Sequence, residues 1–370
     1  VENPFQFEKL PSPENFFGRE QEAERLRQLI LDGKNVLLFG DRRYGKTSLI
    51  YHVFQSLPDT KLHAFADLFS CVESYDVAVA MYKAVYKALP FSIERKTKEL
   101  MSAFKRLSFE MQPTASGSLK FSPKPLSRDF DELIEDALLG AERICEKHNK
   151  SLVIALDEFQ QVAEIKDKRI DAILRTHLQK LKYISFVFSG SKKSILSNLF
   201  INRQKPLYGM SSSISIAGIE MEEFKQYCEQ RLEAEFEPGV FEHLYERTRG
   251  QTKLILQTGY WLYANQLALT FESVDQVIDL IIAEKDEEFR LLFSSYSALQ
   301  RKVLKMVGVF NGRNLFTKES LERFDITKQS LNQVLTKLID VGDLQKQEDD
   351  TYVVSDVHFH LWIVKSLGGI

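Results

Sequence analysis

GDRRYGKTS, residues Gly40 to Ser48, follows the apolar run Asn35 to Phe39 and answers the pattern GxxxxGK[ST]. A strand, a glycine-bounded turn and a helix in that order make a phosphate-binding loop. Gly40 and Gly45 let the backbone curl so that successive N–H groups point inward, and a helix starting near Lys46 turns its positive end to the same place. The whole loop is therefore a binding candidate: Gly40, Asp41, Arg42, Arg43, Tyr44, Gly45, Lys46, Thr47 and Ser48. Lys46 is placed to reach the β- and γ-phosphates of a nucleotide as a point charge. The hydroxyl of Thr47 is placed to ligate the Mg²⁺ that bridges them.

A second stretch completes this chemistry. SLVIALDEFQQV contains an apolar strand, Ser151 to Leu156, of the kind found in the middle of a parallel sheet, and it closes on Asp157 and Glu158. The expected position of this strand is beside the loop strand. Asp157 then holds the metal, usually through water, and Glu158 orients and polarises an attacking water, so that Glu158 and Lys46 are the catalytic candidates. Two acids at the end of an apolar strand are costly to place without cations nearby. Asp67, at the end of the strand Leu62 to Phe69, could orient a water, but a strand-end Asp more often caps a turn, and it stays outside the site.

Composition sets the frame around these motifs. The chain has 370 residues, 44% of them hydrophobic and 27% charged, which suits two or three globular domains. A net charge of −3 provides no global attraction to nucleic acid or to an anionic membrane. Cys71, Cys145 and Cys228 are far apart and form no metal-binding spacing, which points to a reducing compartment without zinc. Neither a signal layout nor an unbroken apolar span is present, so the expectation is a cytoplasmic protein with no membrane contact.

One segment departs from the average charge. Residues 91–128 carry eight Lys or Arg against three Glu, a local charge of +5 that leaves −8 for the remainder. SFEMQPTASGSLKFSP within it reads as a projecting hairpin joined across Ser116 and Gly117. Lys96, Lys98, Lys105, Arg106, Lys120 and Lys124 could track a phosphate backbone or an acidic partner, or face water.

Upstream of the loop, PENFFGREQEAERLRQLILDG gives a Phe-Phe-Gly turn and then a helix with Ala23, Leu26, Leu29 and Ile30 at helical spacing. This segment, followed by the strand and the DRRYGKTS loop, resembles the start of the archaeal-type ATPases, P-loop NTPases of the AAA+/STAND group related to origin-recognition ATPases. The resemblance implies that Phe17, Gly18 and Arg19 hold the adenine, where the residues alone favour a packed helix start. It implies that Ser189, closing the strand Tyr183 to Phe188, senses the γ-phosphate; alternatively Ser189 and Ser191 cap the following helix. Many relatives place an arginine after the glycine of the segment matching LFINRQKPLYGM, but here Met210 follows. Arg203 is the nearest substitute finger, with an exposed loop arginine as the alternative. At the turn around Gly250, which reads GQTK, Lys253 stands where the family carries a lid arginine, or else faces solvent.

The resemblance covers nearly the whole chain and implies an α/β P-loop NTPase core, a parallel sheet with flanking helices, over residues 1–217 with the basic insertion 91–128. A helical lid over 218–292 and a C-terminal winged-helix domain over 293–370 follow. In the tail, three helices precede LQKQEDDTYVVSDVHFHLWI, read as a polar hairpin tip between two strands, with His358 and His360 sharing one face of the last strand as packed or surface residues. The implied function is an ATP-binding and ATP-hydrolysing switch that uses ATP and Mg²⁺, its nucleotide state controlling the lid and winged helix. A DNA-directed ATPase and a non-hydrolysing nucleotide-binding module are the alternatives. The tail has ten basic and nine acidic residues, and the tip Glu348-Asp349-Asp350 repels phosphate. The winged helix therefore points to a protein partner or self-association ahead of DNA.

Overall fold

Along the first part of the chain come α1 (Glu20–Leu31), β1 (Val36–Gly40), α2 (Lys46–Gln55), β2 (Lys61–Asp67), α3 (Ser74–Ala88), β3 (Leu107–Pro113), β4 (Leu119–Pro125) and α4 (Phe130–Lys147). They are followed by β5 (Ser151–Asp157), the short helices α5 (Gln161–Glu164) and α6 (Ile170–Leu178), β6 (Ile184–Gly190), α7 (Lys193–Phe200) and β7 (Ser212–Ile216). The computed structural model describes all residues except 1–2, 9–11, 13–14, 90–101, 114–118, 192, 348 and 368–370. Two compact units emerge. A core unit takes Arg19–Gly40 and Lys46–Ile216, and a C-terminal unit takes Val1–Gly18, Asp41–Gly45 and Ala217–Ile370.

In the core unit, five strands pair in parallel in the order β2-β5-β6-β1-β7. β1 and β6 are buried along their whole length, as is β5 beyond its first residue, because helices cover both faces. α4 packs with Leu133, Ile134, Ala137, Leu138, Ala141 and Ile144, the positions its periodicity sets apart. Its start is fixed by Asp129, whose carboxylate accepts the Glu132 N–H at 3.1 Å. The α/β P-loop core expected from the sequence is present, with one correction. β5 is not beside the loop strand, because β6 lies between them, pairing Leu38 with Ser189 on one side and Leu156 with Phe188 on the other. Neighbouring parallel strands in a helix-linked sheet need not be consecutive, and an apolar run does not encode which neighbour it takes.

β3 and β4 form the expected antiparallel hairpin, with Leu107 opposite Pro125 and Pro113 opposite Leu119. Its Ser116-Gly117 joint, Lys96 and Lys98 lie outside the described residues. The base of the hairpin is tied down by Asp136, which accepts the N–H groups of Lys105 and Arg106 at 2.8 and 2.9 Å and the Tyr82 hydroxyl at 2.6 Å. The Arg106 guanidinium is paired with Glu132, so it is one cation fewer for an outside partner.

The C-terminal unit is helical through α8 (Met221–Leu232), α9 (Val240–Thr248), α10 (Thr252–Ala264), α11 (Phe271–Ala283) and α12 (Asp286–Ser295). A winged helix follows: α13 (Ala298–Val309), α14 (Lys318–Arg323), α15 (Lys328–Asp340), β8 (Leu344–Lys346), β9 (Tyr352–Val354) and α16 (Val357–Leu367). Ser297, Thr317 and Thr327 each accept an N–H from three residues on, which starts the three helices where their apolar stripes begin. At the wing tip Asp349 pairs with Arg313 and Asp350 with Lys346, which offsets part of the expected acidity, while Glu348 lies outside the described residues.

The placing of His358 and His360 on a strand is corrected here. Both lie on α16, because Phe359, Trp362 and Ile363, three and four residues apart, bury a helical stripe in the winged-helix core. Two residues apart on a helix means about 200° apart, so they do not share a face. All three cysteines are buried and free. Among the described residues, no helix is long and apolar enough to cross a membrane.

Candidate nucleotide site

β1 delivers Gly40 to a place where no side chain fits, since a Cβ there would lie 2.4 Å from the Ile216 carbonyl oxygen. The chain then turns through left-handed backbone at Arg43 (φ +68°) and Gly45 (φ +86°), the curl that directs N–H groups to one side. α2 begins at Lys46, which is only 6% exposed and whose ammonium donates to the Gly40 carbonyl at 2.8 Å. A buried ammonium satisfied by its own loop's carbonyl is held where a phosphate would sit. Ser48 follows half-buried, and Arg42 is exposed.

Thr47 and Asp157, 110 positions apart in the chain, meet: the threonine hydroxyl donates to Asp157 Oδ2 at 2.7 Å. The two oxygens expected to ligate a metal thus converge on one point. One carboxylate, one hydroxyl and added phosphate and water oxygens suit Mg²⁺, which prefers few protein ligands. No cluster of three or more His, Cys, Asp or Glu that could hold another metal occurs among the described residues. Asp157 Oδ1 accepts the Glu158 N–H at 3.1 Å, and Glu158 itself sits at φ +53°. Its carboxylate accepts a hydrogen bond from the amide of Gln160.

Ser189 is the last residue but one of β6, the strand between the loop strand and the acid-bearing strand. It is fully buried, and its hydroxyl and that of Ser191 have no hydrogen-bond partner among the described residues. Neither serine therefore acts as a helix cap, and Ser189 keeps an unpaired polar atom at this edge. Asp67 caps a turn as expected, accepting the Phe69 N–H at 2.9 Å. Arg203 is exposed, and Met210 packs against the core instead of standing in for the family's arginine.

The middle of the loop, Asp41 to Gly45, belongs to the C-terminal unit. Gln345 of β8 donates to Asp41 Oδ1 at 2.9 Å. The Tyr44 hydroxyl donates to the Arg249 carbonyl at 2.7 Å. Arg43 donates to Asp356 Oδ1 at 3.2 Å and to His358 Nδ1 at 2.7 Å. Burial opposes ionisation of Asp356, but the charge of Arg43 and the backbone N–H groups of His358 and Phe359, which donate to Oδ1 at 2.9 and 3.3 Å, outweigh it and lower the carboxyl to about 2. Burial holds His358 below the usual histidine value, with Arg43 adding to the effect against the pull of Asp356. A neutral His358 accepts from Arg43 on Nδ1 and carries its proton on Nε2. The 3.5 Å separation of Nδ1 from Asp356 is too long to compete with the 2.7 Å bond.

Lys253, near the start of α10, has its ammonium destabilised by burial and then by the charges of Arg43 and Lys285, with Glu8 opposing. It therefore shares the field of Arg43. Phe17 stacks face to face on Tyr227, with ring centroids 3.4 Å apart and planes 7° apart, and meets Phe224 edge-on. Gly18 follows at φ +67°, where a Cβ would lie 2.6 Å from Ile219. In the core unit, Arg19 is 3% exposed and pairs with Glu22 at 3.3 Å.

Sequence reading missed Gln160, Gln345, Asp356 and Arg249. Gln160 left a signal, an amide two places after the acid pair, between Phe159 and Gln161. Gln345 and Asp356 left none, because their loop partners are 304 and 313 residues away.

No family model matches the sequence, and no curated protein matches it. Solved structures do. A Walker-type ATPase of Pyrococcus abyssi superposes with a TM-score of 0.69 at 16% identity, over 97% of this chain and 99% of that one. The ORC2 protein of Aeropyrum pernix, in ADPNP–ADP complexes, gives 0.55 at 14% identity over 98% and 96%. The ORC1 protein of Aeropyrum pernix in complex with DNA gives 0.50 at 13% identity over 94% and 92%. At these identities the likeness is one of fold: a parallel-sheet P-loop core followed by helical and winged-helix parts, shared over almost the full length.

Proposed function

We propose that the chain is an ATP-binding and ATP-hydrolysing switch of the AAA+/STAND type, in which nucleotide state controls the helical lid and the winged helix. The observation that carries the reading is the direct bond of Thr47 to Asp157, with Glu158 next in sequence and Lys46 at the foot of the loop. In this reading the N–H groups of the loop and Lys46 bind the β- and γ-phosphates, and Thr47 and Asp157 hold Mg²⁺. An ion held by these two residues would neutralise charge on the β- and γ-phosphate oxygens. Glu158 takes a proton from the water that attacks the γ-phosphorus, and the bond to the ADP oxygen breaks. Ser189 donates its unpaired hydroxyl to the γ-phosphate, and Lys253 offers the lid's cation.

The switch is supported by the loop's own bonds. Asp41, Arg43 and Tyr44 are held by Gln345, Asp356, His358 and the Arg249 carbonyl, all from lid or winged-helix segments. Phosphate in the loop competes with Asp356 for Arg43, which links nucleotide to these segments. A protein partner or a second copy is the favoured target of the winged helix, because Arg106 and the wing cations Arg313 and Lys346 are engaged by acids of the same chain. The test is Mg·ATP turnover by the parent and by Glu158→Gln. The variant is expected to bind nucleotide and stall; equal turnover by both moves the base elsewhere, and none by either leaves a binding module.

A further inference from the structure

Gln160 is a fully polar side chain only 1% exposed, two residues beyond the acid pair, and the hydrolytic reading has no use for it. Its amide nitrogen donates to Glu158 Oε2. The opposite orientation of the amide would set its oxygen against the carboxylate, so an ionised Glu158 selects this one. The amide oxygen then faces Gly190 at the end of β6, where it has no hydrogen-bond partner among the described residues. Space is the reason for the glycine: a Cβ at position 190 would lie 2.0 Å from Gln160 Oε1.

The backbone around Glu158 is held as tightly. Glu158 occupies left-handed backbone at φ +53°, its carbonyl accepts the Gln161 N–H at 3.0 Å, and the Phe159 N–H donates to the Ser189 carbonyl at 2.8 Å. The acid segment is thus stitched to β6 once by backbone, at Ser189, and once by the Gln160 side chain, packed against Gly190. A carboxylate at a strand end has two free torsions beyond its Cβ and can present either oxygen in many directions. A donor that occupies Oε2 fixes the plane of the group and leaves Oε1 for water.

We propose that Gln160 is the positioning residue of the hydrolytic site: seated against Gly190, it holds the Glu158 carboxylate in the orientation that accepts a proton from the attacking water. The proposal rests on Glu158 being the base. Removing the donor then lowers turnover while nucleotide affinity stays, because the hydrogen bond lost is one to Glu158 and not one to the phosphate loop. Packing damage alone would not separate the two.

The experiment uses the full chain and Mg·ATP, with Gln160→Met, which keeps the volume and loses the donor, and Gly190→Ala, which displaces the Gln160 side chain without altering it. Glu158→Gln runs in parallel. Expected for Gln160→Met and Gly190→Ala are a kcat about tenfold lower, an unchanged Kd for ATP, and a double variant no slower than the worse single one. If Glu158→Gln turns over like the parent, the assignment of the base fails. If Glu158→Gln is dead while Gln160→Met or Gly190→Ala keeps the parent's rate, the positioning role fails. A rate loss matched by a loss of ATP affinity, or failure of both variants to fold, marks Gln160 as a packing residue and also overturns the proposal.

Discussion

Replacing Asp356 by alanine should tighten ATP binding, because it frees a loop cation that phosphate must otherwise win from a carboxylate. The size follows from the carboxyl's own titration. Its displacement from 3.8 to about 2 corresponds to roughly 2.4 kcal/mol in favour of the charged form, at about 1.36 kcal/mol per unit. That net gain survives an opposing burial effect and is shared among His358, Arg43 and the Phe359 N–H. The Arg43 and Asp356 side chains are 29% and 32% exposed, so water screens the pair, and about 1 kcal/mol is a fair share for Arg43. About 1 kcal/mol is roughly a fivefold change in affinity. His358 keeps its bond to the guanidinium in the variant, so only the Asp356 share is released. Titration calorimetry of Mg·ATP against parent, Asp356→Ala and Asp356→Asn measures it, with the asparagine, an acceptor without charge, expected between the other two. Unchanged or weaker binding by an Asp356→Ala protein that melts like the parent would refute the competition for Arg43.

Three further outcomes follow from the same geometry. Lys46→Ala should lose ATP binding in calorimetry, and a variant that binds like the parent would mean the loop is not the phosphate site. His358 and His360 are both held neutral, His360 at about 3 by burial and then by the charge of Arg249; a depressed histidine lets the unfolded chain bind the extra proton. Stability is therefore complete above about pH 6.5 and falls as pH drops towards the folded values, by at most about 1.4 kcal/mol per pH unit for each histidine. Urea midpoints at pH 7 and pH 5 should separate in the parent and separate less in His360→Phe, and identical midpoints in the parent would contradict it. For DNA, the +5 of the insertion less the paired Arg106 leaves four charges, so a log affinity against log salt plot should be no steeper than about −3.6. Nanomolar, sequence-selective binding dependent on Gln329, Asn332 and Gln333 of α15 would overturn the preference for a protein partner.

The sequence by itself determined the parts whose physics is local. Gly40 to Ser48 had to be a curled loop opening a helix, because the glycines and the flanking apolar run sit at fixed short offsets, and the structure has that loop. Ser151 to Asp157 had to be a buried strand ending in acids, and Phe130 to Lys147 a helix, because period and capping are written within a few residues. Tertiary structure alone decided what joins across the chain. It placed β6 between β5 and β1, so that Ser189 lies on the strand between the one that leads into the loop and the one that carries Asp157. It put His358 on a helix, since the apolar run Val357 to Ile363 reads as strand or helix until the winged-helix core supplies a surface with helical spacing. It also joined Arg43 to Asp356 and His358, and set the room beside Gly190 for Gln160. Such pairings depend on which surfaces meet after collapse, and no spacing along the chain records that.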